Sequence, residues 1–261
     1  MARHYRLLSF MSKRILMSLC CTALIAGCAS TPNNPDGSAV SHESARALFQ
    51  PAKHAMDRGD YAAAIKLFED LETRYPYGPY AEQAQLDTAY SYYQRGDSEA
   101  AAAAAERFIK LHPANPYVDY AWYLKGIAHY QAIQGAQENP RPAEEAFSTL
   151  DTLAKRWPHS VYAADARLRI AKIINILGQR NLDICKFYYV RHAYVASANR
   201  CNTVITRYQL STAREEALYY LTRDYRHLDL PQLAQTTAAV LAYNYPGSKY
   251  LSDLGSSAKP G

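Results

Sequence analysis

Apolar positions recur along this chain with a helical period. After Gly59, the residues Ile65, Phe68 and Leu71 fall at i, i+3 and i+6 and form one apolar stripe. A single helical hairpin cannot bury that stripe alone, so it calls for a stacked neighbour. The neighbour is written into the sequence. Gly59-Asp60-Tyr61-Ala62-Ala63-Ala64-Ile65 returns as Gly96-Asp97-Ser98-Glu99-Ala100-Ala101-Ala102, and Arg74-Tyr75-Pro76 returns as Leu111-His112-Pro113, each 37 residues later. Arg156-Trp157-Pro158, Arg207-Tyr208-Gln209 and Asn244-Tyr245-Pro246 carry the second marker onward in weaker form. Each marker has a job. Glycine permits the positive φ that ends one helix, the following aspartate offers a carboxylate to the next helix's free N–H groups, and proline stops the second helix. Alanine at 64 and 101 lets a partner helix come close.

These marks resemble the tetratricopeptide repeat, through Gly59, Tyr61, Ala64, Phe68 and Pro76. The fold expected is all-α, an α-solenoid of about five tetratricopeptide-like hairpins. The third unit keeps Trp122, Gly126 and Ala146 but has extra residues around Gly135 to Arg141, where Pro140 and Pro142 mark a loop. In the fourth, a short helix from about Leu182 to Arg191 is expected before a second helix from Ala193 to Tyr208.

The N-terminus has another pattern. Arg3, Arg6, Lys13 and Arg14 precede an apolar run from Ile15 to Ala26, with no acidic residue among them. The run is too short for the roughly 20 apolar residues that cross a bilayer and reads as a cleaved signal. Its end, Leu24-Ile25-Ala26-Gly27-Cys28, resembles the bacterial lipobox, with Cys28 as the lipidated residue; Ala29, in place of the aspartate that favours inner-membrane retention, points to the outer membrane. The expected organisation is residues 1–27 signal peptide, 28–43 flexible tether, 44–250 repeat array and 251–261 disordered tail.

Removing four basic residues from 29 leaves 25 Lys+Arg against 24 Asp+Glu, so the basicity of the whole chain is mostly signal peptide. Nucleic acid is therefore not an expected partner. Of five cysteines only Cys185 and Cys201 remain for chemistry, and no metal-type pair is left. They lie seven and nine residues from a turn near His192, near one another but not opposed. Two buried free thiols are expected, with a disulfide as the alternative. There is no P-loop, no Gly-x-Ser-x-Gly and no His-Glu-x-x-His; His112, His159 and His192 sit at predicted helix ends, and Glu144-Glu145 and Glu215-Glu216 read as solvated faces. Neither catalysis nor a metal or cofactor is expected.

First helices of stacked hairpins line a concave face suited to peptides. Here they are rich in tyrosine: Tyr90 and Tyr93 share one face, as do Tyr120, Tyr123 and Tyr130. Tyrosine's apolar ring and hydroxyl suit peptides with aromatic termini; the competing assignment for each ring is inter-helix core.

More specific runs resemble the BamD (ComL) family of outer-membrane β-barrel assembly lipoproteins: Arg74-Tyr75-Pro76-Tyr77-Gly78-Pro79-Tyr80, Gln83 to Asp87, Ala89-Tyr90-Ser91-Tyr92-Tyr93, Arg107 to Pro113, Pro116 to Tyr120, and Ala196-Ser197-Ala198-Asn199-Arg200. That resemblance covers nearly the whole chain after the signal. It implies a non-enzymatic scaffold and receptor, held by lipid to the outer membrane and facing the periplasm. It would bind BamA POTRA domains through the C-terminal repeats and unfolded outer-membrane proteins through the N-terminal groove, alongside other Bam lipoproteins. By match to the family, Arg200 is assigned an ionic contact to BamA, and Arg191 and Tyr188 are carried over with it. The chain has His192 where the family usually has glycine, Val190 where it often has a charge, and only Gln134 to Arg141 where it tends to carry a longer acidic insert. A periplasmic repeat adaptor for cell-envelope or division enzymes is the alternative within the same fold, and an envelope enzyme with an unrecognised site the alternative outside it.

Overall fold

Every second-helix marker seen in the sequence ends a helix. In the computed structural model, which describes residues 36–133 and 139–256, the elements are α1 (Asp36–Asp57), α2 (Tyr61–Arg74), α3 (Pro79–Arg95), α4 (Ser98–Leu111), α5 (Val118–Gln131), α6 (Arg141–Arg156), α7 (Ala163–Tyr189), α8 (Tyr194–Arg207), α9 (Arg214–His227), α10 (Pro231–Asn244) and α11 (Tyr250–Ser256). Tyr75, His112, Trp157, Tyr208 and Tyr245 occupy the same C-terminal cap position in α2, α4, α6, α8 and α10, and each returns its N–H to the carbonyl four residues back. The weak echoes are thus true repeats. Ten helices pair into five antiparallel hairpins, and α11 closes the end.

Consecutive first helices touch in series, α1 with α3, α3 with α5, α5 with α7 and α7 with α9, whereas among the described residues no two second helices pack directly on each other. First helices therefore form the inner layer and second helices fan outward. The stripe residues Phe68 and Leu71 are fully buried, as are Ala64 and Ala101. Gly126 makes room on α5 for Leu150 of α6, whose Cδ2 would lie 2.4 Å from an added Cβ.

The hairpin turns obey one rule with different residues. Gly59 and Gly96 take φ of 78° and 84°, and the corresponding positions in the fourth and fifth hairpins are His192 (φ 59°) and Asp229 (φ 56°), again 37 residues apart. Glycine adopts this left-handed geometry freely and other residues at a cost. Asp60 caps α2 as expected, its Oδ1 accepting the Ala63 N–H at 3.1 Å. Asp97 differs: its carboxylate pairs with Arg95 at 2.8 Å and makes no cap bond.

Three sequence expectations change. The short helix from Leu182 to Arg191 is not separate, because nothing between Ala163 and Tyr189 stops a helix, and α7 runs unbroken for 27 residues. At about 40 Å it is twice as long as its neighbours. Its N-terminal half packs on α6 through Ala166, Ile173 and Leu177, and its C-terminal half on α8 and α9 through Leu182 and Cys185. The last hairpins are thereby stepped along α7. At the ends, α1 begins at Asp36, inside the stretch read as tether, and α11 takes in residues up to Ser256 of the expected tail, with Leu254 buried against Leu218, Tyr219 and Leu241. Most of the loop from Gln134 to Arg141, like Cys28 and the signal region, lies outside the described residues. No helix among the described residues is long and apolar enough to cross a membrane.

Candidate functional site

The fourth hairpin is held from beneath by a polar, covalently linked cluster. Cys185 of α7 and Cys201 of α8 are joined by a disulfide with Cα atoms 5.4 Å apart, correcting the expectation of two free thiols. Counting residues from the turn misplaced them, because pairing depends on which helix faces meet, and both cysteines lie on the buried faces of α7 and α8. Ser197 lies 3.3 Å from the Cys185 sulfur and donates to Asp224 Oδ2 of α9 at 2.7 Å. Asp224 is fully buried, and burial, the largest influence, pushes its carboxyl up from 3.8 to about 7.

A pH dependence follows. The unfolded carboxyl ionises near 3.8 and the folded one near 7, so between these values the folded chain holds a proton that the unfolded chain has released. Asp224 therefore costs nothing below about pH 4, and the cost grows as pH rises, reaching roughly 2–4 kcal/mol above pH 7. Asp224→Asn is expected to flatten this loss. Urea midpoints at pH 5 and pH 8 check it; a wild-type-to-variant difference that is the same at both would refute the assignment.

Above the cluster, Tyr188 of α7 and Ala196, Asn199, Arg200 and Thr203 of α8 line a cleft of about 320 Å³. On α8 these four lie at i, i+3, i+4 and i+7, one outward face, while Ser197, Ala198, Cys201 and Val204 face inward. Asn199 and Arg200 are exposed, and the Arg200 guanidinium has no hydrogen bond or ion pair among the described residues. Arg191 does not line the cleft. It folds back beside it, its guanidinium 3.5 Å from the Phe187 ring centre and donating to the Phe187 carbonyl at 3.1 Å. Phe187, Val190 and Val195 remain exposed around this end. Helical spacing from Arg200 could have found Ala196 and Thr203; the exposed apolar residues carried no sequence signal.

A second aromatic group fixes the turn. Tyr194 stacks on His227 at 4.2 Å, Tyr189 meets Tyr220 edge-on at 5.0 Å, and His192 Nδ1 lies 2.8 Å from the Tyr194 hydroxyl. These contacts hold His192 in a conformation glycine would adopt unaided. Lys186 reaches Glu216 of α9 at 2.6 Å, so this glutamate is an inter-helix tie and not simply solvated.

The five groove tyrosines sit elsewhere, half-buried on the first helices α3 and α5. Tyr90 meets Tyr61 edge-on at 6.3 Å, and Tyr93 packs beside Ala89 and Ala105. Tyr120 and Tyr123 meet Tyr162 at 5.1 and 4.8 Å, and the Tyr123 hydroxyl donates to Asp165 at 2.8 Å. Burial first, and then the Asp165 bond, push that hydroxyl up to about 12. Tyr130 lies under the Arg169 guanidinium at 5.0 Å. Each ring thus ties α3 or α5 to a neighbour while keeping part of its surface open. Among the described residues, no three His, Cys, Asp or Glu side chains gather as a metal ion would require.

A family profile described as "YfiO: Outer membrane lipoprotein" matches residues 41–241, from α1 to Leu241 of α10. The chain belongs to this family. Among its relatives, "Outer membrane protein assembly factor BamD" of Neisseria gonorrhoeae is 36% identical over 92% of this chain and 94% of the relative. The proteins of the same name from Caulobacter vibrioides and Vibrio cholerae are 31% and 30% identical, over 88% and 90% of this chain and 75% and 99% of theirs. The match to the YfiO family runs through both α7 halves, so the cleft and the tyrosine-rich first helices are within the shared region.

Proposed function

We propose that this chain is a non-enzymatic subunit of the outer-membrane β-barrel assembly machinery, lipidated on Cys28 and facing the periplasm, where it binds BamA POTRA domains through its C-terminal repeats. The observation that carries the reading is the family membership, with relatives named as assembly factors matching most of the chain. The Tyr188–Arg200 cleft suits the BamA contact: the exposed guanidinium of Arg200, without an ion pair among the described residues, shares the cleft with Tyr188 on a face braced by the disulfide. An arginine with aromatic neighbours is a common energetic centre of protein interfaces. Arg191, held on Phe187, would extend that contact at its rim. Unfolded outer-membrane proteins would lie on the first helices of the N-terminal hairpins, against the open surfaces of Tyr90, Tyr93, Tyr120, Tyr123 and Tyr130. Other Bam lipoproteins are expected to join the same assembly.

Charge reversal is the test for the cleft. Arg200→Glu, at unchanged helical content, is expected to weaken binding of a soluble BamA periplasmic fragment by about tenfold or more. Equal affinities, measured by titration calorimetry, would remove Arg200 from the interface.

A further inference from the structure

Alternate loops of an antiparallel hairpin array emerge at opposite edges. The loops α2–α3, α4–α5 and α6–α7 share one edge, and each exposes an apolar side chain: Tyr77 (91% exposed), Tyr117 (58%) and Val161 (84%). The N-terminus of α1 is at that same edge. The His42 ring lies 5.2 Å from that of Tyr80 in the first turn of α3, so α1 is level with the edge there, and its six preceding residues carry the helix backbone about 9 Å beyond it. Seven residues lie between Cys28 and Asp36, so the eight Cα-to-Cα steps from one to the other cannot span more than about 28 Å.

The charge on this edge also has a direction. The last turns of α2, α4 and α6 bring Arg74, Lys110, Lys155 and Arg156 toward it. Asp70, Glu106 and Asp151 pair with Arg74, Lys110 and Lys155 from one turn further in. The acids at the starts of the first helices are occupied: Glu82 accepts from Asn115 at 2.6 Å, Asp119 from Ser160 at 2.6 Å and Asp165 from Tyr123 at 2.8 Å. Each paired base thus lies one turn nearer the edge than its acidic partner, and the carboxylates that open the first helices are already hydrogen-bonded.

We propose that this edge rests on the phospholipid surface, with Tyr77, Tyr117 and Val161 entering the headgroup region and the basic helix ends facing lipid phosphates. The proposal rests on Cys28 being the lipid anchor, whose short connection keeps the edge within reach of the bilayer. Tyrosine's amphipathic ring suits the interface, and basic side chains gain there from anionic lipid. An acyl anchor supplemented by such a surface binds more stably than one acyl chain alone. The long axis of the array is then fixed along the membrane, instead of swinging freely on the tether.

Photocrosslinking of the full lipidated chain tests this. Benzoylphenylalanine replaces Tyr77, Tyr117 or Val161, or, on the opposite edge, Arg58 or Gln94, in protein bound to phosphatidylethanolamine vesicles containing phosphatidylglycerol. Flotation of each variant with the vesicles is scored first. Lipid adducts several-fold more abundant at 77, 117 and 161 than at 58 and 94 are expected. Flotation with equal adducts at both edges would overturn the edge while leaving the anchor intact, and so would chain-to-chain crosslinks in place of lipid adducts. Failure to float would overturn the anchor and the edge together.

Discussion

Gly178→Ala is expected to destabilise the C-terminal half of the array by about 2 kcal/mol, although alanine is the better helix former. An added Cβ on α7 would lie 2.1 Å from Ser211 Oγ and 2.5 Å from Ser211 Cβ. Ser211 cannot simply turn away. It is buried in the α8–α9 loop, its Oγ accepts the Ala213 N–H at 3.2 Å, and the Thr212 N–H alongside donates to Asn175 of α7 at 2.9 Å. The loop itself must move. Urea unfolding of Gly178→Ala, Ser211→Gly and the double variant forms a cycle: recovery of much of the lost stability in the double variant is expected, since Ser211→Gly removes both clashing atoms. Strict additivity would show that the two residues do not meet.

The second large effect is expected from the disulfide. Replacing Cys185 and Cys201 together by alanine should cost about 3 kcal/mol, because the bridge closes a loop of 16 residues across the α7–α8 turn. Both cysteines are fully buried, so reductant should act on the native protein slowly and on the urea-opened protein at once. Alkylation in urea without reductant should leave positions 185 and 201 unmodified. Two alkylated cysteines in native protein from an oxidising compartment would remove the bridge from the structure. Loss of the bridge should also loosen the Tyr188–Arg200 cleft, whose two walls it connects.

Much of the fold was legible because each repeat uses local chemistry that a sequence displays. Gly59-Asp60 and Gly96-Asp97 announce their turns, and the aromatic or histidine before proline announces the ends of α2, α4 and α6. The fourth hairpin was harder, since its turn uses His192 where the first two use glycine, and that residue is held by an edge-on contact with Tyr194, whose own stacking on His227 of α9 is invisible in sequence. Only the spacing of 37 between His192 and Asp229 preserved the signal. The unbroken α7 departs from the helix length that the other hairpins keep, and Gly178 within it serves close packing against Ser211.

The candidate site was partly legible. Arg200 and Tyr188 came from family resemblance, and the fold brings them to one cleft while leaving Arg191 beside it. The disulfide could not be inferred from counting residues around a turn, because pairing depends on which faces of α7 and α8 meet. Tyrosine spacing identified residues sharing a face, but their double role, half in contact with neighbouring helices and half open, depends on Tyr162, Asp165 and Arg169 from the next hairpin.

Membership of the assembly machinery at the outer membrane is tested by a pull-down of the tagged, full-length chain from detergent-solubilised outer membranes, with Cys28→Ser as the comparison. The expected result is recovery of BamA with the wild type, from the membrane fraction, and release of the Cys28→Ser chain into the soluble periplasmic fraction. A wild-type chain that brings down no BamA at matched expression would contradict the account.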